Sequence, residues 1–262
     1  MNALETESQS GLQEPDRPPQ ANRPSLSIVI PAYNEDRRLV PTLEKLRDYA
    51  SKQKCNWEVI VVDDGSRDDT HKSACAADPG PLQLRILSNP SNRGKGYSVR
   101  RGMLEAQGRR MLMCDADLSM PIDQLPKLLQ ALDDGFDVAI ASRDMPDSVL
   151  DPPQPWSRRI IGAVFRIIRC SVILPGIRDS QCGFKCFERQ VARKIFAAQS
   201  LDGFAFDCEV LALAQRFGHC IAEIGVTWRN DRDSRVRITD PFSMLLNLLA
   251  IRWRLRKRVL RK

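Results

Sequence analysis

The chain has 262 residues, 42% of them apolar and 28% charged, a globular profile that excludes a fibrous or wholly disordered protein. Its net charge of +7 equals the basic residues of the last stretch, Arg252, Arg254, Arg256, Lys257, Arg258, Arg261 and Lys262, where no acid occurs. The remainder is neutral, which disfavours a uniformly basic nucleic-acid binder and leaves the C-terminus needing its own explanation.

In chain order, residues 1–25 are rich in Pro, Gln and acids without an apolar h-region. They are expected to be a disordered leader with neither signal peptide nor N-terminal anchor. Residues 26–240 read as one α/β domain with a mostly parallel sheet flanked by helices. Strands are predicted at Leu26–Pro31, Trp57–Asp63, Leu82–Ser88, Arg110–Asp115 and Asp137–Ser142. Apolar spacing places helices at Arg38–Lys52, Asp69–Ala77, Tyr97–Gln107 and Ile122–Asp133. Most of the early strands run into polar residues at their carboxyl ends, the edge where open α/β sheets bind ligands, so these loops should converge on one site. Asp144–Pro155 reads as a mobile loop. It is followed by a basic amphipathic helix Trp156–Leu174, a helix Phe204–Phe217, a strand Ile221–Trp228 and a final helix from about Pro241. Residues 241–262 are read as an amphipathic basic tail. No apolar stretch approaches the ~20 residues needed to cross a bilayer.

Eight cysteines lie scattered in apolar segments without the paired spacing of a zinc site, which points to reduced thiols in a cytosolic chain. Cys182 and Cys186 are expected to pack in the core. The two histidines, His71 and His219, sit apart from other candidate groups, which disfavours a His-based nucleophilic machine.

The sharpest signal is Asp115-Ala116-Asp117 at the end of an apolar strand. Two carboxylates one residue apart can share a hard divalent cation, Mg²⁺ or Mn²⁺; the alternative is an acidic cap for the next helix. Asp63 and Asp64 end another strand and suit a ribose hydroxyl or a base N–H, or else an ordinary Asp-Gly turn. Asn92–Tyr97 fits no established phosphate loop, yet its glycines allow close backbone approach and Lys95 can meet anionic oxygens. A structural role is expected for Glu209, and Asp207 is left open.

Taken together, Ser27–Glu35, Val62–Asp68, Asn92–Gly96, Asp115–Asp117 and Ser142-Arg143 resemble family 2 glycosyltransferases of the GT-A fold. Ile177–Lys185, Phe204–Val210 and Ala222–Trp228 resemble more narrowly the dolichyl-phosphate glucosyltransferase branch, near the dolichyl-phosphate mannosyltransferases. The resemblance implies that Pro31, Tyr33, Glu35 and Asp63 hold the nucleoside, that Lys95 and Asp115 continue the pocket, and that Asp115 and Asp117 take the metal. It turns Arg143, Gln181 and Lys185 toward the acceptor phosphate, with Arg159 and Ser234 or Arg235 beside them. The hydrophobic anchor of eukaryotic relatives is missing from this sequence. So is the Gln-x-x-Arg-Trp motif of processive synthases, since Leu249 stands where Gln would be needed.

The expectation is an inverting enzyme that moves one hexose from a nucleotide sugar, UDP-glucose or alternatively GDP-mannose, to polyprenyl phosphate. It would work at the cytosolic face of an anionic membrane, reached through the two basic amphipathic segments at roughly 1 kcal/mol per basic residue. A second reading keeps the sheet and uses the tail for nucleic acid or acidic membranes. Acidic loops at successive strand ends argue against it.

Overall fold

The computed structural model describes residues 23–151, 170, 173–229, 248 and 250–254. The predicted helix Trp156–Leu174 and the site residues Arg159, Ser234 and Arg235 lie wholly or mostly outside them, as do residues 1–22 of the leader and most of the tail.

Nine strands and six α-helices alternate along the described chain. The strands are β1 (Leu26–Ala32), β2 (Trp57–Asp63), β3 (Gln83–Ser88), β4 (Arg110–Cys114), β5 (Val138–Ser142), β6 (Val149–Asp151), β7 (Phe184–Glu188), β8 (Ile221–Gly225) and β9 (Thr227–Arg229). The helices are α1 (Asp36–Gln53), α2 (Thr70–Ala76), α3 (Lys95–Glu105), α4 (Leu125–Asp133), α5 (Arg189–Ala198) and α6 (Phe206–Arg216). Seven strands form one sheet in the order β3-β2-β1-β4-β7-β5-β8, while β6 and β9 pair separately. This is the mixed α/β architecture of the GT-A fold.

Strands β1, β2, β4 and β5 are apolar almost throughout because helices cover both faces of the sheet. Alternation along each strand sorts the side chains. Ile28, Ile30, Val59, Val61, Leu112 and Ala139 join Leu39, Leu43, Leu125 and Leu128 of α1 and α4. Val29, Ile60, Val62, Met111, Met113 and Ile140 meet Val99, Ile195, Phe196 and Leu211 of α3, α5 and α6 on the other face.

Three features depart from the sequence reading. First, β7 is inserted antiparallel between β4 and β5, with Lys185 opposite both Met113 and Ile140. A five-residue segment of three apolar and two charged residues carries no direction of its own, so its place is decided by distant partners. Second, the predicted strand Ile221–Trp228 breaks at Val226: β8 stays in the main sheet while β9 pairs with β6. The pairing also gives Val149–Asp151, within the predicted mobile loop, a regular strand. Third, the leader ends before residue 25, because Pro24 accepts from the Arg109 N–H and Ser25 pairs with Asn56 and Arg110. Among the described residues no helix is long and apolar enough to cross a membrane.

Candidate active site

The carboxyl ends of β1 and β2 are stitched together by their own polar residues. Ser66 Oγ accepts from the Asn34 N–H at 2.9 Å, Asn34 Oδ1 from the Arg67 N–H at 2.8 Å, and Thr70 Oγ1 from the Glu35 N–H at 2.7 Å. Pro31 and Ala32 pair with Val62 and Asp63 across the ladder, and Tyr33, 36% exposed, stands at the rim. Glu35 Oε2 lies 2.6 Å from Arg38 Nε. Asp63 is buried and accepts from the Ser66 N–H at 3.0 Å, while its other oxygen lies 3.6 Å from His71 Nδ1. His71 is therefore beside a candidate group rather than remote from one; the helical turn that brings it back to β2 is not visible in a linear reading.

Asp64 has a different task from the one expected. Its two oxygens accept from Asn89 Nδ2 at 2.6 Å, the Arg93 N–H at 3.0 Å and the Gly94 N–H at 2.8 Å. A buried carboxylate with three protein donors is committed to holding the glycine-rich loop, so it fastens the pocket instead of lining it. Gly94 has φ of 103°, a left-handed region that favours glycine. The loop also lies flat on the segment 199–205, where the Asp202 carbonyl accepts from the Tyr97 N–H at 3.2 Å.

Lys95, the first residue of α3, reaches Asp115 at the end of β4: Nζ and Oδ1 are 2.6 Å apart. Burial alone would lower the Lys95 pKa, but Asp115, Asp207 and Asp117 outweigh it and hold the ammonium charged. The turn after β4 is pinned from two sides, by Thr42 Oγ1 donating to the Ala116 carbonyl at 2.8 Å and by Asp117 Oδ1 accepting from the Ser119 N–H at 2.9 Å. Gly183 faces this turn closely. A Cβ there would overlap the Asp115 carboxylate, so glycine leaves the space that carboxylate occupies.

Asp117 titrates above the usual carboxylate range, first because it is buried and then because Asp115 is close. A buried acid with a second carboxylate close by favours a cation between the two. No third His, Cys, Asp or Glu joins them among the described residues. That donor set suits Mg²⁺ or Mn²⁺, hard ions that complete their shells with water and phosphate oxygens, better than a metal needing an all-protein cage.

At the end of β5, Arg143 is gripped by Asp179. Nε lies 2.7 Å from Oδ2 and Nη2 lies 2.9 Å from Oδ1. Burial pushes the Asp179 carboxyl up, yet Arg143 and the backbone N–H groups of Arg143 and Gln181 bring it down to about 2. The carboxylate is fixed in turn by Glu223 on β8, which accepts from the Arg178 and Asp179 N–H groups. The Arg143 guanidinium also sits 5.6 Å from the centre of the Trp228 ring. One edge of its fork is therefore already used, leaving Nη1 and the outer N–H of Nη2 to meet an anion. Asp179 and Glu223 were not among the expected site residues. The available signal was that an arginine drawn into a sheet edge needs a carboxylate partner.

One expectation for the acceptor side changes. Lys185 has no exposed surface: its Nζ donates to the Cys182 carbonyl at 2.7 Å and meets Asp207 Oδ1 at 2.5 Å. Position 185 on β7 points to the α6 side of the sheet, so Lys185 touches no acceptor directly. Gln181 is half-buried, with its side-chain amide 3.5 Å from Cys208 Sγ. Glu209 is structural as expected, bonding Ser200 and Leu201. Cys182 and Cys186 are core residues whose thiols burial pushes up to about 12.

The edge of the sheet thus gathers a basic loop, a two-carboxylate turn and a fixed arginine at successive strand ends. Residues 27–196 match the profile described as Glycosyl transferase family 2. The chain belongs to that family. This family 2 chain is 34% identical over 243 residues to the human dolichyl-phosphate beta-glucosyltransferase, covering 87% of this chain and 75% of the relative. It is 35% identical over 246 residues to the Dictyostelium discoideum protein of the same name, covering 87% and 74%. Its fold is like that of Mycobacterium tuberculosis glucosyl-3-phosphoglycerate synthase, crystallised with Mn²⁺ and uridine-diphosphate-glucose: TM-score 0.61, 18% identity, 90% of this chain and 80% of that one.

Proposed function

We propose that this glycosyltransferase moves a single glucosyl residue from UDP-glucose to dolichyl phosphate or a related polyprenyl phosphate. The transfer inverts the anomeric centre, with Mg²⁺ or Mn²⁺ held by Asp115 and Asp117. The activity named for the curated relatives supports the acceptor and favours glucose over the mannose of GDP-mannose. The UDP-glucose in the solved neighbour supports the donor.

The observation that carries the reading is the Arg143–Asp179 pair at the same sheet edge as Asp115, Asp117 and Lys95. A nucleotide-sugar diphosphate and a phosphate nucleophile repel one another, so the enzyme must neutralise both without letting its own cations wander. Bound at the carboxylate pair, a divalent ion supplies Lewis-acid neutralisation of diphosphate charge. Lys95 adds a positive charge beside it. Arg143, held by Asp179, presents its remaining N–H groups to the acceptor phosphate, and a preorganised guanidinium loses little on binding. Pro31, Tyr33, Glu35 and Asp63 border the space where the nucleoside would lie.

No general base is required. A phosphate monoester has a second pKa near about 6, so at neutral pH its terminal oxygen is already largely an anion, unlike a hydroxyl that must lose its proton during attack. The acceptor chain lies in a bilayer, and the enzyme would work peripherally on the cytosolic face. Residues 250–254 are helical, with Leu248 and Ile251 buried in the core, Trp253 58% exposed, and Arg254 Nη1 donating to Ser200 Oγ at 2.7 Å. This root would deliver the basic end of the chain to anionic headgroups. Comparing a short polyprenyl phosphate with the matching polyprenol tests the acceptor: transfer to the phosphate alone is expected, and transfer to the alcohol would overturn the assignment.

A further inference from the structure

Glu223 puts a charge where the strand pattern calls for an apolar side chain. β8 is the last strand of the sheet and pairs in parallel with β5, Ile140 standing opposite Glu223. Alternation sends Ala222 and Ile224 to the face covered by α1 and α4, and Ile221 and Ile140 to the face covered by α5 and α6. The half-buried Glu223 therefore shares the second face. Both of its oxygens meet one segment of chain there. Oε1 accepts from the Asp179 N–H at 2.7 Å and Oε2 from the Arg178 N–H at 2.9 Å.

These bonds fix the main chain of the residue that grips Arg143. The Asp179 side chain is fully engaged on its own account: Oδ2 accepts from the Arg143 N–H and Nε, and Oδ1 from Nη2 and from the Gln181 N–H at 3.0 Å. The flanks of the segment are secured separately by α6, where Gln215 Nε2 donates to the Pro175 carbonyl at 2.9 Å and Cys208 Sγ lies 3.4 Å from Ser180 Oγ. Closing the segment onto the fold is thus shared among several contacts, whereas the setting of the Asp179 backbone falls to Glu223. Drawing a carboxylate partly out of water is costly, and that cost is met at the one point that controls the direction of Asp179.

We propose that Glu223 is a positioning residue for the acceptor phosphate, acting through Asp179 on the Arg143 guanidinium. The inference rests on the proposed acceptor reading for the ligand it names. The same run of chain supplies a second hold: past the break at Val226, Trp228 of β9 lies 5.6 Å from the guanidinium. Arg143 is held at its edge from β8, by way of Asp179, and at its face from β9, so the N–H groups left over are fixed in direction. A misplacement of about 1 Å far from the chemistry can cost on the order of a hundredfold in rate. Loosening the Asp179 backbone is therefore felt at the phosphate, although Glu223 does not touch it.

The test is transfer from UDP-glucose to a short polyprenyl phosphate by the full chain, together with hydrogen exchange of residues 176–183 in the ligand-free protein. Glu223→Ala is expected to keep the parent's circular-dichroism signal and to speed exchange in that segment. Its acceptor KM should rise about tenfold with the donor KM within about twofold of the parent, the pattern of lost acceptor binding. Glu223→Gln, whose carbonyl oxygen can still accept from an N–H, is expected to lie between the two. In an Asp179→Ala background, Glu223→Ala should cost less than about twofold, because residues acting through one set of contacts are not additive. Faster exchange with an unchanged acceptor KM would show a structural prop only and overturn the proposal, as would an undiminished effect of Glu223→Ala once Asp179 is removed. Should Glu223→Ala not fold, Glu223→Gln decides alone: a rise of about threefold in acceptor KM is expected from the lost hydrogen bond, and a parent-like value would overturn the proposal. Transfer to phosphoglyceric acid, a ligand of one solved neighbour, and not to the polyprenyl phosphate would sink the polyprenyl reading alone, since the coupling is then read on the KM of that phosphate.

Discussion

Arg143 and Asp179 form a two-pronged ion pair to which the Arg143 N–H adds a further bond to Oδ2 at 3.1 Å. Asp179→Asn keeps the shape and removes the charge. The expected result is a rise of at least about tenfold in the acceptor KM with the donor KM little changed, the loss typical of a charge-assisted contact. Arg143→Lys, which cannot make the fork, should be costly as well.

The same pair has a pH signature. The Asp179 carboxyl is depressed to about 2 from an unfolded value of 3.8. A depressed acid contributes stability that is fully present above the unfolded value and is lost as pH falls toward the folded one. Thermal melts from pH 5 to pH 2 should show the parent losing on the order of 2 kcal/mol that Asp179→Asn does not lose over that window.

Asp117 works in the opposite sense. Burial and Asp115 raise its pKa, so the fold favours its protonated form and is penalised as pH rises through that value. In chelator at pH 7, Asp117→Asn should therefore melt no lower than the parent. Its transfer rate should fall by roughly a hundredfold or more, the weight carried by electrostatic stabilisation of a departing group. A folded variant with substantial activity would contradict the metal assignment.

Gly183→Ala probes the same turn from behind. The added methyl overlaps the Asp115 carboxylate, and the expected outcome is weaker Mn²⁺ binding by titration with the helical circular-dichroism signal intact. Unchanged Mn²⁺ affinity would mean that the Asp115 position is not what sets the site.

Much of this arrangement was legible because it is local. Asp115 and Asp117 follow an apolar strand, Lys95 opens a helix after glycines, and ligands of such sheets gather at carboxyl ends. What was hidden depends on which strand lies next to which. Lys185 reads as an acceptor cation until β7 is seen to enter the middle of the sheet and bury it. Asp64 and Asp63 are adjacent and alike in sequence; only the return of Asn89, Arg93 and Gly94 separates the fastening acid from the candidate ligand. Asp179 matters through Arg143, 36 positions earlier in the chain, a separation that periodicity does not bridge.

For the basic end of the chain, deleting residues 252–262 removes all seven basic residues there and no acid. Binding to anionic vesicles should weaken, most clearly at low salt, while donor hydrolysis persists. Equal co-sedimentation of truncated and full-length protein would show that the tail serves another purpose.

The central claim is tested most directly by incubating the purified full-length chain with a short polyprenyl phosphate, Mn²⁺ and a panel of nucleotide sugars, and determining the product's anomeric configuration. The account predicts a β-linked glucosyl phosphodiester from UDP-glucose, abolished by chelator, and little product from GDP-mannose. Transfer from GDP-mannose in preference to UDP-glucose, or a product that retains the donor's configuration, would contradict it.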